Sequence, residues 1–518
     1  MTALPPDLVA RLLGPDAGHV PVPLQRLPDA RLLWLNRRAM HDDPQFARCG
    51  GDEARYANHL LEACAWRTAA PGGDVDTLGY ADRYGGERIG FNGGSGRTVT
   101  VGGYCVKGVG RTPLVSALTD EGHASGGAYL EETVRETIYG EIVATEFPHA
   151  GVPTLAIIDT GLVQDWHTTE EPQSERRTLL VRPSFVRPAH FQRAAGFQSG
   201  FAKEGSRDAH RVRQVFGIAV EALGADGLMQ HVDQLWDRWA EQMAHAFVHR
   251  LPHGADNTSN IAIDGRLLDF GGTNVVPSWA AAATSFFPQR FSQRFGVLVH
   301  CIRSMGYFFG RHLHAEIGSE AAIKRRIDRA WAVHSRAVTT QVLRVCGAPA
   351  ATARDAVAAD RPGHLWRQAV RLIEHYQRET LDMVVATPVP VIPWDVDRLW
   401  DDTPPAHLRA MRGVLQDLVG EAGRDDARRR NAILASDRPL LHKREMRTAI
   451  YRALDVDRSL GPQEDARRTA ELIGRIVSQS GRAVATEAIQ PGRTRRPRPV
   501  QGKCRRPCPG TAGSTGRR

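Results

Sequence analysis

No stretch of this 518-residue chain approaches the roughly 20 consecutive apolar residues that cross a bilayer, so membrane-spanning helices are not expected. The start, MTALPPDLVARLLG, lacks the basic-then-apolar pattern of a secretory leader, which makes the cytoplasm the expected location. Cysteine is sparse and scattered: Cys49, Cys64, Cys105, Cys301, Cys346, Cys504 and Cys508. An odd set at such spacings is no disulfide framework, and Cys504 with Cys508 is a weak zinc signal because no second pair stands near. Internal repeats are absent. Acidic residues are missing from the chain end: from Pro491 onward Arg493, Arg495, Arg496, Arg498, Lys503, Arg505, Arg506, Arg517 and Arg518 account for the whole formal charge of +9. The body is therefore close to neutral. This Pro-, Gly- and Arg-rich tail, poor in large apolar residues, is expected to be a disordered, solvated terminus. Any contact with nucleic acid is expected there and to be weak.

What is present has a strong order. Residues 1–75 mix Pro-rich turns with short apolar stretches and read as an irregular, partly helical lead-in. Residues 76–181 read as a glycine-rich β segment with one helix. Short β runs, Thr98–Val101 and Tyr104-Cys105-Val106, sit among glycines, and further runs fall at 154–158 and 178–181, with a polar Glu- and Thr-rich loop between them. In the helix, residues 129–146, Leu130, Val134, Ile138 and Ile142 recur every four positions, and Tyr129, Glu136, Gly140 and Val143 form a second face. Two apolar faces mean packing on both sides, so Glu136 points inward. Residues 182–385 are mostly helical, with Val232, Trp236, Trp239, Met243 and Phe247 forming an apolar stripe into the loop at His253. A Pro-rich connector opens a helical extension, residues 386–485, and the tail is residues 486–518. The fold class is α+β, in two unequal lobes.

The sharpest chemical signal is residues 253–271, HGADNTSNIAIDGRLLDFG. Kinase-like phosphotransferases set a His and an Asn seven apart in a catalytic loop and follow them, across a hairpin, with an Asp-Phe-Gly. His253, Asn260 and Asp269-Phe270-Gly271 fit that spacing. Mg²⁺ prefers hard oxygen ligands, and an Asn carbonyl with an Asp carboxylate supplies them. His253 reads as structural, bonded to backbone. Upstream, Gly94-Ser95-Gly96-Arg97 is suited to phosphates approaching backbone N–H groups. Lys107 ends a β run, and a strand lysine held by a helix glutamate such as Glu136 aims an ammonium at nucleotide phosphates.

Lys107-Gly-Val-Gly-Arg-Thr-Pro113 resembles the signature of the selenoprotein O (bacterial YdiU-type) family. Tyr80, Gly94-Ser-Gly-Arg97, Arg135-Glu136, Gly151-Val-Pro-Thr154, Pro183-Ser184 with Arg187, and residues 253–271 fit the same family in order. The resemblance implies a protein-kinase-like two-lobed fold that binds ATP in a flipped orientation and transfers AMP to Ser, Thr or Tyr hydroxyls of a protein or peptide. It implies that Lys107 and Glu136 organise the phosphates, that Gly94, Gly96, Arg97 and Arg187 bind nucleotide, and that Asn260 and Asp269 hold Mg²⁺, with Mn²⁺ as an alternative.

This chain departs from the family in four places. Ser259 stands where the family has its proton-accepting Asp, and a serine hydroxyl is a poor base; Asp256 is the substitute. Ser125-Gly126-Gly127-Ala128 replaces Asp-Gly-Arg-Ala, leaving Gly126 as the remaining match. The loop from Lys107 to Glu136 is longer. Leu180 aligns with the first of two phosphate arginines, and Arg182, two residues on and on the same strand face, takes its place. A divergent adenylyltransferase is the expectation; γ-phosphate transfer and an ATP-binding scaffold without turnover are the alternatives.

Overall fold

In this computed structural model the described residues are 4–86, 90–119, 124–166, 173–199, 202–203, 205–279, 281–284, 287–290, 295–361, 363–377 and 393–482. The polar loop at 167–172, most of the connector from residue 386, and the tail lie outside them. The chain mixes helix and sheet. A nine-stranded antiparallel sheet is built from β1 (Val20–Arg26), β2 (Arg31–Leu35), β3 (Trp66–Thr68), β4 (Thr77–Ala81), β5 (Thr98–Val101), β6 (Tyr104–Lys107), β7 (Ala128–Tyr129), β8 (Ala156–Trp166) and β9 (Gln173–Pro183). Its order is β2-β8-β9-β6-β5-β4-β1-β3, with β7 pairing β9.

Residues 1–75 are thus not a lead-in lying outside the sheet: β1 pairs β3 and β4, while β2 pairs β8. Prolines at 21 and 23 lower the β signal of β1, and partners more than 100 residues away in the chain decide the pairing of β2. The β5–β6 hairpin turns at Gly102-Gly103, whose φ of 59° and 85° suits glycine and the primed turns that match strand twist. Strands β8 and β9 run longer than their apolar cores, at 156–158 and 178–181. Their outer halves pair with each other from Val163↔Arg176 to Trp166↔Gln173 and alternate in exposure on β8.

The helix Leu130–Glu146 follows its period, one residue from the expected start, and is buried on nearly every face. It packs between β9 and the helices Lys443–Ala453 and Pro462–Ser480, which explains its two apolar faces. The stripe from Val232 to Phe247 lies buried in the helix Gly205–Val248, which kinks at Gly224 (φ 71°). C-terminal to it come an irregular segment over 249–279 and a small hairpin, Ala281–Thr284 paired with Phe287–Arg290, and from Phe295 onward the regular elements among the described residues are helices. No helix among the described residues is long and apolar enough to cross a membrane.

Candidate active site

Strand register builds the site first. Lys107 lies opposite Leu180, and Cys105 opposite Arg182. Residues two apart on a strand share a face, so Lys107 and Arg182 project from the same side of the sheet. The helix Leu130–Glu146 crosses that side. There Lys107 Nζ donates to Glu136 Oε2 at 2.6 Å, and Arg182 donates to Glu136 Oε1. Glu136 is fully buried, so a charge at this position has to be paired.

Sequence reasoning missed Glu132. It sits one helical turn before Glu136, on the same face, and that spacing was the available signal. Its carboxylate lies 3.0 Å from Lys107 and takes two hydrogen bonds from Arg97, at 2.7 and 2.9 Å. Burial favours its neutral form, yet Lys107 and Arg97 outweigh burial and hold its pKa far below the usual range. Burial likewise lowers the Lys107 pKa, and Glu132 with Glu136 more than restores it, leaving it raised.

Asp269 completes the cluster. Its carboxylate is 3.8 Å from Lys107 and 43% exposed, where Lys107 is 6% exposed. Burial among its neighbours raises its pKa, but Lys107, Arg97 and Arg182 pull harder and hold it well below the ordinary value. The backbone of Asp269 is left-handed, φ 62° and ψ 74°. The hairpin turns at Asp264-Gly265, as the residues suggest: Gly265 has φ 86°, and Leu268 N donates to Asn260 O at 3.1 Å, bringing Asn260 and Asp269 to one end. Phe270 is buried against Gly140 and Gly151, where a Cβ at Gly151 would lie 2.8 Å from the ring. His253 is structural in the expected way, its Nε2 against Leu268 O at 2.9 Å.

The glycine loop is stapled to the Lys-Gly-x-Gly-x-Thr-Pro stretch. Gly108 N donates to Arg97 O at 2.8 Å, and Thr112 holds Gly96 O through N–H and Ser95 O through Oγ1, at 2.9 and 3.0 Å. Gly94 (φ 148°) leaves no room for a side chain, because its Cβ would lie 2.3 Å from Asp82 O. A Cβ on Gly96 would strike Val115, and one on Gly126 the backbone of Gly110 and Arg111, so Gly126 serves loop packing.

Arg187 sits elsewhere. Its Nε donates to Asp82 Oδ2 at 3.0 Å and its Nη1 to the Ser259 carbonyl, and its guanidinium lies 4.8 Å from the rings of Tyr84 and Phe185. His190 Nε2 meets Asp82 Oδ1 at 2.7 Å, and His19 adds a third buried group within 4.8 Å. Three such groups resemble a metal site, but tautomers decide against it. His190 Nδ1 accepts the Arg187 N–H at 3.1 Å, so Nε2 carries the proton, donates to Asp82, and has no lone pair for an ion.

Asp256 is buried in the catalytic loop. Ser259 Oγ donates to Asn257 Oδ1 at 2.5 Å and lies 3.4 Å from Asn260 Oδ1, while Asn260 Nδ2 donates to Ala255 O at 2.9 Å. The Asn260 carbonyl oxygen and the Asp269 carboxylate, both hard donors and both partly exposed, fit a magnesium-type ion. A separate apolar cavity of about 1000 Å³, lined by Tyr80, Tyr104, Phe185 and Ile263, holds none of these charges.

Residues 80–294 match the family model described as protein adenylyltransferase SelO. The protein nucleotidyltransferase YdiU of Azoarcus sp. (strain BH72) is 30% identical over 246 residues, covering 42% of this chain and 44% of that protein. The same-named protein of Xanthomonas campestris pv. campestris (strain B100) is 28% identical over 270 residues, 49% of this chain and 47% of the relative. The chain thus spans less than half the length of these relatives. Every charge that meets at Lys107 lies within residues 80–294, the stretch that matches the protein adenylyltransferase SelO family model.

Proposed function

We propose that the cleft beside Lys107 binds ATP and transfers its AMP moiety to a Ser, Thr or Tyr hydroxyl of a protein or peptide, on a protein-kinase-like body with lobes over 76–181 and 182–385. The observation that carries this is the buried Lys107–Glu136 pair at 2.6 Å with the Asp269 carboxylate 3.8 Å from the same ammonium. The names of the relatives, nucleotidyltransferase and adenylyltransferase, favour the α-phosphate as the point of attack.

In that reaction the substrate hydroxyl forms a bond to the α-phosphorus, the bond to the pyrophosphate oxygen breaks, and the hydroxyl proton leaves to a base. Lys107, Arg97 and Arg182 supply positive charge beside the phosphates, and the Gly94–Gly96 turn lets backbone approach them. Asn260 and Asp269 would hold Mg²⁺ or Mn²⁺, which when bound neutralises phosphate charge. Asp256 is the base we assign, since the Ser259 hydroxyl is already committed as a donor to Asn257. That commitment also favours a second reading, a nucleotide-binding scaffold without turnover.

Parallel reactions with ATP labelled at the α- or the γ-phosphate test the proposal. Retention of only the α label, lost in Asp256→Asn, supports AMP transfer with Asp256 as base. Retention of only the γ label makes the protein a kinase. ATP binding with neither label, in the presence of candidate substrates, favours the scaffold. Ser259→Asp, which restores a carboxylate, is expected to raise transfer about a hundredfold, the lower end of what a positioned general base contributes.

A further inference from the structure

Lys107 reaches carboxylates on two separate segments: Glu132 and Glu136 on the helix Leu130–Glu146, and Asp269 after the hairpin. The site works only if those two segments keep their register. Part of the register is internal to the matched stretch. Arg135 Nη1 donates to Gly271 O at 3.2 Å, and Phe270 packs beneath Gly140.

The remainder comes from residues 438–443, well beyond the matched stretch. One carbonyl joins both segments: Leu441 O accepts from Tyr139 Oη on the helix at 2.8 Å and from Val275 N, after the Asp-Phe-Gly, at 3.2 Å. Lys443 donates through its backbone N to Asn274 Oδ1 at 2.7 Å and through Nζ to Gly271 O at 3.3 Å. Arg438 makes a two-point pair with Glu146, 2.9 Å on each arm, at the far end of the same helix. Glu146 Oε1 also accepts from Arg482 N at 3.0 Å. Both carboxylate and guanidinium are buried, so the pair is geometrically demanding. These are directional contacts, and they converge on the two segments whose separation sets the Lys107–Asp269 distance.

We propose that residues 438–443 are an intramolecular brace that holds the Glu136 helix in register with residues 269–274, with Tyr139, Leu441 and Lys443 as positioning residues for the nucleotide and metal site; this rests on the reading of that site given above. A helical C-terminal extension thereby gains a task. It supplies to the catalytic half a contact that the matched stretch does not make by itself.

Full-length Tyr139→Phe, Lys443→Met and the double variant test this, with Lys443→Arg as the conservative control. Tyr139→Phe removes one hydroxyl and keeps the ring. Two readouts are taken: amide hydrogen exchange of the protein alone, and the Mg²⁺ concentration for half-maximal transfer of α-label. The brace predicts exchange about tenfold faster in both residues 269–274 and the helix Leu130–Glu146 in the double variant, the scale of one lost buried hydrogen bond and one exposed one. It predicts a rise of about tenfold in the Mg²⁺ requirement, an ATP dissociation constant within about twofold of wild type, and recovery in Lys443→Arg. Exchange that is unchanged, or that rises only around Tyr139, overturns the brace. A wild-type protein that binds no ATP refutes the site reading instead, and the exchange measurement then decides the brace by itself.

Discussion

Two buried charge clusters meet the catalytic loop, and they differ in how many sides are closed. Around Lys107, three cations (Lys107, Arg97 and Arg182) and three carboxylates (Glu132, Glu136 and Asp269) pair up, and one of them, Asp269, keeps 43% of its side chain exposed. Around Asp82 everything is shut: Arg187 and His190 take its two oxygens, and Arg187 spends its remaining reach on the Ser259 carbonyl and two aromatic rings. The first arrangement leaves an edge where phosphate oxygens and an ion can join. The second is a strut. It ties the catalytic loop to the strand that carries the glycine turn, because Asp82 O also accepts from Ser95 N at 2.9 Å. Arg187, whose motif suggests phosphate binding, thus also links the catalytic loop to Asp82.

The sharpest break of that comparison is Asp82→Ala. It leaves the Arg187 guanidinium buried without its carboxylate, and breaking such a pair typically costs about 3–5 kcal/mol. Urea unfolding is expected to show that loss; wild-type stability in this variant would remove the strut. Asp269→Ala should do the reverse. Transfer of α-label falls about a hundredfold or more, about 3 kcal/mol of transition-state stabilisation, while the urea midpoint moves less than in Asp82→Ala, because the carboxylate is part-exposed and its ion pair with Lys107, at 3.8 Å, is long. Glu132→Gln is milder. It frees Arg97 and weakens the hold on Lys107, with an expected loss of about tenfold in transfer and a raised requirement for ATP.

The smallest effect separates the charged clusters from the neutral core. His245 and His249 stack at 4.0 Å, fully buried; burial first, then the charges of His249 and Arg344 on His245 and of Arg344 and Arg482 on His249, keep both pKa values well below normal. The unfolded chain takes up protons below about pH 6.5 while the folded chain does not, so stability falls as pH drops from 6.5 towards 4.5. At pH 5.5 the loss is about 1 kcal/mol per histidine. His245→Phe should flatten the slope by about one proton, read from urea midpoints between pH 7.5 and 5.5. The depressed carboxylates Glu132, Asp269 and Asp82 act in a different window: their stabilisation is present above about pH 4 and is lost only below it.

Much of the local architecture was legible. The helix containing Glu136, the β5–β6 hairpin and the turn at Asp264-Gly265 fall where period and turn chemistry put them, since those signals act over a few residues. Glu132 was legible in principle, one turn from Glu136. Asp82 was not, because nothing near residue 82 announces that a strand end will meet an arginine 105 positions later. The strands of residues 1–75 were hidden for the same reason: prolines weaken their β signal, and their partners are distant.

By itself the sequence determined the inventory and its spacing: a lysine at a strand end, an inward-facing glutamate, a His and an Asn seven apart, an Asp-Phe-Gly across a short hairpin. Period and spacing are properties of the local chain, which is why they could be read directly. Only the tertiary structure decided which cation shares which carboxylate, and that the C-terminal extension reaches back to Tyr139 and Gly271. Those choices depend on strand register and helix packing between residues far apart in the chain. A shift of one residue in the β6–β9 pairing would turn Arg182 to the other face and leave Glu136 without its second cation.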